Sequence, residues 1–135
     1  MTVIVCLSDG GGMMFNKRRQ SRDRLLIEDV GRLCADGIIF ISEFSLPLFE
    51  EDVADVIAVS NPLEAAGCKD YVFVENLHLG GYADKIDEMI LYKWNRAYPF
   101  DFSLDLYPEK LGLSLSESID FSGQAHEKIT REIWR

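Results

Sequence analysis

Four short runs of consecutive apolar residues constrain the fold of this chain more than any other feature. They occupy residues 3–7, 38–41, 56–59 and 71–74, and turn-forming or helical segments separate them. Strands that are apolar throughout are buried on both faces, which is typical of parallel strands covered by helices. The runs therefore predict a parallel sheet at the centre of an α/β fold.

The segment between the first two runs predicts a helix. Its apolar residues recur at spacings of three and four, the periodicity of an amphipathic helix. They are Leu25, Leu26, Val30, Leu33 and Cys34. Ser21 is a suitable N-cap for this helix, and Asp36-Gly37 is a suitable end. The order of strand, helix and strand predicts a parallel crossover.

The pattern changes towards the C-terminus. Residues 89–94 predict a fifth strand, after which apolar and polar residues alternate in 100–106 and 111–115, as they do in half-exposed antiparallel strands. Residues 127–135 are compatible with a helix or a strand. Earlier in the chain, residues 42–51 predict a short helix or an irregular segment.

Together these patterns predict one α/β domain that spans residues 1–135. The chain is 47% hydrophobic and 11% aromatic, which is enough to close a single core. We expect a single mixed β-sheet with parallel βαβ units first, an antiparallel C-terminal hairpin, and helices on both faces.

The overall charge and the cysteine and histidine content exclude several classes of protein. A net charge of −9 argues against a protein that coats nucleic acid or an anionic membrane. The first residues lack the basic and long apolar regions of a signal peptide, so we expect a cytoplasmic protein without membrane association.

Cys6, Cys34 and Cys68 lack C-x-x-C spacing and predict reduced thiols. His78 and His126 lack the spacing of a metal site, so we expect no metal centre. Assembly into a homo-oligomer stays open.

A basic cluster, defined here as residues 17–24, stands out in this acidic chain. Its cations are Lys17, Arg18, Arg19, Arg22 and Arg24. At the start of a helix cations are unfavourable unless an anion compensates them, and the fork of an arginine suits oxyanions. We therefore expect an anionic ligand to be bound by Arg18, Arg19 and Arg22, with Asn16 and Gln20. The alternative is that these side chains pair with the protein's own carboxylates or stay solvated.

A glycine-rich turn, Asp9-Gly10-Gly11-Gly12, follows the first apolar run, where phosphate-binding loops occur in α/β folds. Neither the dinucleotide nor the Walker pattern is satisfied, since Phe15 stands at the third glycine of G-x-G-x-x-G. Met13, Met14 and Phe15 offer an apolar lining for a planar ligand. A flexible loop over a ligand and a plain turn both stay open.

Three further residues are candidates for chemistry. Asp23, the carboxylate inside the basic cluster, is a candidate proton relay or substrate anchor with a raised pKa as its signature; the alternative is an acid that serves the helix dipole. His126 could form an acid/base pair with Glu127 or be an ordinary surface histidine. Trp94 could stack on a ligand or pack under the C-terminal hairpin. The serines near element ends lie outside any G-x-S-x-G elbow and give serine-hydrolase chemistry no support; they are Ser8, Ser21 and Ser42.

The order of these segments resembles that of the dihydrofolate reductase family. The run 3–7, the loop 10–15 and the helix with Asp23-Arg24-Leu25 look like that family's first strand, its mobile methionine-bearing loop and the helix that carries its substrate-binding acid. The C-terminal half resembles the family's later strands, helix and hairpin in segments 71–74, 86–91, 100–106 and 127–134. The resemblance implies a dihydrofolate reductase-like fold with Asp23 in the place of that acid.

The resemblance also implies NADPH as a cofactor, but the sequence departs from the family where the cofactor pyrophosphate would lie. The glycine pair that the family places after the strand is here Glu75-Asn76, and Gly80-Gly81 comes later in the chain. The chain is also shorter, by a βα unit, in the region that would hold the adenosine half of the cofactor. The cofactor therefore stays unknown.

Residues 18–23, R-R-Q-S-R-D, also resemble a segment of short bacterial proteins of which some are labelled ribonuclease Z, although the zinc motif H-x-H-x-D-H of that enzyme is missing. We expect a small-ligand-binding or reductase-like enzyme that holds an anionic or planar molecule between residues 10–16 and the basic cluster. The alternatives are an interaction module that docks an acidic partner or RNA on the basic cluster, and a metal-independent nuclease that uses His126.

Overall fold

The computed structural model describes residues 1–49 and 54–135 of the chain. The strands are β1 (Thr2–Leu7), β2 (Gly12–Phe15), β3 (Arg18–Arg19), β4 (Ile39–Ile41), β5 (Val56–Ala58), β6 (Tyr71–Phe73), β7 (Glu88–Lys93), β8 (Phe102–Ser103), β9 (Leu115–Phe121) and β10 (Ile129–Trp134). The α-helices are α1 (Arg24–Leu33) and α2 (Pro62–Ala65), and 3₁₀ helices cover Glu43–Phe49, Gly80–Lys85 and Pro108–Leu111. The first 3₁₀ helix is the short helix expected in residues 42–51, of which the last two lie outside the described residues.

Seven strands form one mixed sheet in the order β5-β4-β6-β1-β7-β10-β9. The first five strands of this order run parallel, and β10 is antiparallel to both of its neighbours. A small antiparallel sheet of order β3-β2-β8 lies beside the large one. The predicted mixed sheet, with parallel strands first and an antiparallel hairpin last, is confirmed.

Two hydrophobic cores cover the two faces of the large sheet. Val3 and Val5 of β1 pack in one core with Leu63 of α2, whereas Ile4 packs in the other with Val30 of α1. None of these side chains is more than 1% exposed. Successive side chains of a strand point to opposite faces, so a strand covered on both faces is apolar at every position. The prediction of helices on both faces is confirmed. None of the helices in the described residues has the length and apolar character that a membrane crossing requires.

The antiparallel hairpin does not lie where the alternating pattern predicted it. Of residues 100–106 only β8 forms a strand, and it pairs with β2 rather than with residues 111–115. Leu104 is 6% exposed, and its backbone N–H donates to the carbonyl of Gly11 at 3.0 Å. The alternation thus reflects packing under the glycine-rich turn. The terminal hairpin is β9–β10, so a strand covers most of residues 127–135.

Helix α1 starts later than the sequence predicted. Its N-cap is Asp23 rather than Ser21, because the Asp23 carboxylate accepts hydrogen bonds from the first turn of the helix. The residues before it form the hairpin β2–β3, whose turn residues Asn16 and Lys17 have φ angles of 52° and 62°, as a type I′ turn requires. Three of the five cations of the basic cluster, Lys17, Arg18 and Arg19, therefore lie on this hairpin, and the argument from the helix dipole does not apply to them.

Candidate functional site

A cleft opens where the carboxyl ends of the parallel strands β1 and β6 meet the start of α1. The space within it that a water-sized sphere can occupy is about 20 Å³, room for about one water molecule, so a larger ligand must move its walls apart. Its apolar walls include Met13, Leu48, Phe73 and Trp94. Its polar lining consists of Arg19, Gln20, Ser21, Arg22, Asp23 and Glu75. Ligands of open α/β sheets bind outside the carboxyl ends of the strands, so this cleft is the candidate functional site.

Asp23 is the most extensively bonded side chain of the cleft. It is 3% exposed, and its carboxylate accepts hydrogen bonds from four backbone N–H groups and one imidazole nitrogen. The donors are the N–H groups of Leu25, Leu26, Gln124 and Ala125 and Nδ1 of His126, at 2.8–3.4 Å. Burial alone would raise the pKa of this carboxyl, but the hydrogen bonds outweigh burial and hold the pKa below its usual value. The expectation of a raised pKa at Asp23 is therefore wrong, and Asp23 stays ionised.

His126 connects Asp23 to two hydroxyl groups. Because an ionised carboxylate can only accept, Nδ1 of His126 carries the proton in its 2.9 Å bond to Asp23. Nε2 lies 3.1 Å from Oγ of Ser21 and 3.0 Å from the Tyr98 hydroxyl. The ring stacks on Trp94 with centroids 4.5 Å apart, and His126 is 4% exposed. Both expectations for His126 are therefore wrong. It is buried rather than on the surface, and it bonds to Asp23 rather than to Glu127.

The loop between β9 and β10 encloses the Asp23 carboxylate closely. A Cβ atom on Gly123 would overlap the carboxyl group of Asp23 and the Ile129 side chain, so only glycine fits there. The Gly123 N–H donates to the carbonyl of His126 at 2.9 Å, which closes the loop. The loop thereby fixes His126 relative to Asp23.

Arg19 is bound by the protein's own acid. Its guanidinium donates to both carboxylate oxygens of Glu75 at 2.9 and 3.0 Å and to the carbonyl of Phe44 at 2.8 Å. The Ser45 hydroxyl adds a 2.7 Å bond to the same carboxylate. Burial, and then the charge of Glu75, raises the pKa of the nearby Cys6 thiol, which stays protonated. Arg19 therefore follows the alternative in which a cation of the cluster pairs with a carboxylate of the protein.

Two polar groups of the cleft wall remain uncommitted within the described residues. The Gln20 amide donates through Nε2 to Ser8 Oγ at 2.9 Å and to the carbonyl of Pro99 at 3.3 Å, while its buried Oε1 has no partner. Arg22 is exposed at the mouth and makes no ion pair with a described residue. A ligand at the mouth of the cleft would meet the Arg22 cation, whereas Gln20 Oε1 is covered by the protein.

The structure separates the candidate site residues into two groups. Met13, Arg19, Gln20, Arg22 and Asp23 line the cleft. The others lie on the hairpin β2–β3 outside it: Asn16, Arg18 and Phe15 are exposed, and Met14 lines a second groove together with Lys17 and Asn76. The glycine-rich turn, a further candidate, packs against Phe100 and Tyr107. A Cβ atom on Gly12 would overlap the Phe100 ring, and one on Gly11 would overlap the Tyr107 hydroxyl.

Sequence reasoning missed Ser21 and His126 as members of one hydrogen-bonded chain with Asp23. Asp23 and His126 are 103 residues apart, and no motif links them. The available signal was topological. A final strand antiparallel to β7 begins beside the carboxyl end of β7, as the pairing of Thr130 with Lys93 shows. Residues just before that strand must therefore lie near the cleft.

The end of β6 does not fit the cofactor that the family resemblance implied. The Glu75 carboxylate, with its bonds to Arg19 and Ser45, stands where the resembled family places a glycine pair for the cofactor pyrophosphate. A diphosphate there would meet a buried negative charge, and no glycine lets it approach the backbone. We therefore derive no reductase step for this chain.

Comparison with known proteins shows the fold. No family model matches the sequence, and no curated protein matches it. Among solved structures the chain is similar to a dihydrofolate reductase from Enterococcus faecalis complexed with NADP(H) and RAB-propyl, with a TM-score of 0.66 over 99% of this chain and 94% of that chain, at 6% sequence identity. The chain therefore has a dihydrofolate reductase-like fold. The resemblance to proteins labelled ribonuclease Z stays a prediction.

Proposed function

We propose that this chain uses its dihydrofolate reductase-like fold to bind a small anionic or planar molecule in the cleft between β1, β6 and the start of α1. The observation that carries the proposal is the exposed Arg22 at the mouth of this cleft, which makes no ion pair with a described residue. An anionic group of a ligand would supply the missing partner. Gln20 Oε1 also has no partner among the described residues, but it is buried, so a ligand reaches it only if the cleft wall moves.

The lining of the cleft supports a ligand with a flat body and a negative group. Met13, Leu48 and Trp94 provide apolar walls, against which a planar ring would pack. Arg22 at the mouth supplies a cation that no described acid neutralises, and its planar guanidinium suits a carboxylate or phosphate. Arg19 is already paired with Glu75, so Arg22 is the residue expected to hold the anionic group.

The proposal is tested by a thermal-shift screen of the full chain. The panel consists of pterins, flavins, nucleotides, aromatic carboxylates and inorganic phosphate. A ligand at 100 times its Kd stabilises the folded state by about 2.7 kcal/mol, which gives a measurable rise in Tm. We expect a shift with at least one planar anion of this panel.

A matched pair of variants locates the binding site. Arg22→Ala should weaken binding of the anion, whereas Arg18→Ala removes another exposed arginine, which lies outside the cleft. Loss of the shift in Arg22→Ala alone supports the cleft. Equal loss in both variants, or no shift with any member of the panel, contradicts the proposal.

A second candidate function rests on the cations outside the cleft. Lys17 and Arg18 are exposed on hairpin β2–β3 and make no ion pair with a described residue. They could dock on an acidic partner or an RNA backbone. Anisotropy of a labelled single-stranded RNA would show binding that weakens steeply with salt and is lost in Arg18→Ala but not in Arg22→Ala.

A further inference from the structure

We propose that Ser21, His126 and Asp23 form a nucleophile, a general base and an orienting acid that cleave a small ester bound in the cleft. The inference rests on the proposed ligand-binding function of the same cleft and adds the substrate class and the reaction. Its basis is a continuous hydrogen-bonded chain, in which Asp23 lies 2.9 Å from Nδ1 of His126 and Nε2 lies 3.1 Å from Oγ of Ser21.

The bond to Asp23 fixes the tautomer of the neutral His126 ring, in which Nε2 is the acceptor. Asp23 accepts four backbone N–H bonds besides the imidazole, so its negative charge is stabilised and Nδ1 must be the donor. In the neutral ring the lone pair is then on Nε2, whose partners among the described residues are the hydroxyls of Ser21 and Tyr98. This is the tautomer that a general base needs in order to take a proton from a hydroxyl.

Of the two hydroxyls at Nε2, Ser21 is the one that reaches a ligand. Ser21 lines the cleft, whereas Tyr98 is not part of the lining. Primary alkoxides are strong nucleophiles, and serine becomes one when an adjacent base removes its proton. Burial, and then the charge of Glu75, raises the pKa of the Cys6 thiol of the cleft, which stays protonated. Ser21 is therefore the nucleophile that the geometry selects.

The surroundings hold this chain in place before any substrate arrives. Trp94 stacks on the His126 ring at 4.5 Å and also lines the cleft, so it excludes water from one face of the base. Gly123 lets the loop close directly over Asp23. Pre-positioned groups lower the entropic part of a reaction barrier. Arg22 lines the same cleft and is the cation available to the oxyanion that develops.

The reaction needs only the ester and water. Ser21 Oγ bonds to the ester carbonyl carbon while its proton passes to Nε2 of His126, and the carbonyl electron pair moves to oxygen. When this pair returns, the bond to the alcohol breaks and the alcohol takes the proton from Nε2. Water then attacks the acyl group on Ser21 in the same way, which releases a carboxylic acid and regenerates Ser21.

The experiment is covalent labelling of the full chain with a fluorophosphonate, followed by mass spectrometry of its peptides. Attack by Ser21 forms an O–P bond and expels fluoride. We expect the label on Ser21, no label in Ser21→Ala, and labelling at least about 100-fold slower in His126→Gln, which keeps a donor towards Asp23 but has no base. Ser60→Ala removes an exposed serine away from the cleft and should label like the parent chain.

A second readout is the hydrolysis of p-nitrophenyl acetate, in which an acyl intermediate gives a burst of one p-nitrophenolate per chain. Circular dichroism melting confirms that each variant is folded. A folded parent chain that is not labelled at Ser21, or a folded His126→Gln variant that labels at the parent rate, overturns the inference. Ligand binding without labelling would leave the proposed function standing, whereas labelling without ligand binding would overturn that function alone.

Discussion

At the scale of single residues, Asp23 couples the site to the stability of the fold. Burial would raise its pKa, but the hydrogen bonds it accepts hold the folded-state pKa below the unfolded value, which is about 3.9. Between these two values the unfolded chain binds more protons, so the stabilisation is complete above the unfolded pKa and is lost as the pH falls below it. We predict that the free energy of unfolding falls below about pH 4 and that Asp23→Asn flattens this part of the curve. Urea denaturation at several pH values measures both, and a variant with the slope of the parent would refute the linkage.

Gly123 allows a second prediction at this scale. In Gly123→Ala the new methyl group would overlap the Asp23 carboxyl group and Ile129, so the loop must move. We expect a loss of about 1–3 kcal/mol in the free energy of unfolding. Gly81→Ala is the matched control, since nothing lies within 4 Å of a Cβ atom there, and its effect should stay within about 0.5 kcal/mol. Equal effects of the two variants would contradict the close approach.

Single residues of the site were only partly predictable from the sequence. Asp23 could be singled out because it is the one carboxylate among five cations. Its partner could not, because no local pattern reports that a loop next to the last strand folds back onto the first helix. The same limit applies to Arg19, whose pairing with Glu75 joins residues that are 56 positions apart.

At the scale of elements, a buried ionic cluster ties α1 to the antiparallel end of the sheet. Asp29 of α1 accepts two bonds from Arg131 of β10, at 3.1 and 2.8 Å, and one from the Tyr92 hydroxyl of β7 at 2.7 Å. Arg131 also donates to Glu117 of β9. Burial, and then the charge of Asp29, raises the pKa of Tyr92, so its hydroxyl stays a donor. One helix is thereby bonded to two strands of the sheet.

This cluster gives a prediction with an internal control. Asp29→Asn leaves the buried Arg131 without its main counter-charge and should lower the free energy of unfolding by about 3 kcal/mol. Arg32→Ala removes a second cation from the same carboxylate, but Arg32 is exposed and 3.4 Å away, so its loss should cost less than about 1 kcal/mol. Chemical denaturation of both variants decides the matter, and a larger loss in Arg32→Ala would contradict it.

The strands β1, β4 and β6 coincide with apolar runs because they lie in the interior of the sheet, where a strand covered on both faces admits few polar side chains. β5 also lies within an apolar run, although it is an edge strand and its Ile57 is 43% exposed. The edge strand β9 was missed because nearly all of it is exposed. Its residue types are therefore those of a solvent-exposed segment and do not indicate that it pairs with another strand. The hairpin β2–β3 was missed because its turn, Asn16-Lys17, carries no glycine.

At the scale of the whole molecule, a shared fold does not imply a shared ligand. The chain shares its architecture with a reductase at 6% identity, yet Glu75 and Arg19 occupy the end of β6. We predict that NADPH gives no thermal stabilisation at concentrations where the planar anions of the screen do, because its diphosphate would have to displace a bidentate ion pair. A rise in Tm with NADPH would refute this reading of the β6 end.

The loop that covers Asp23 also determines at which stage of protein synthesis the site can form. Residues 19–23 of the cleft precede α1, whereas the loop 123–126 that bonds to Asp23 comes about 100 positions later and is followed by β10, which lies between β7 and β9. A growing polypeptide on the ribosome can form β1, α1 and most of the parallel strands with Asp23 still uncovered. The site matures only after β10 has left the exit tunnel, so a nascent chain without this strand would lack the contact of His126 with Asp23.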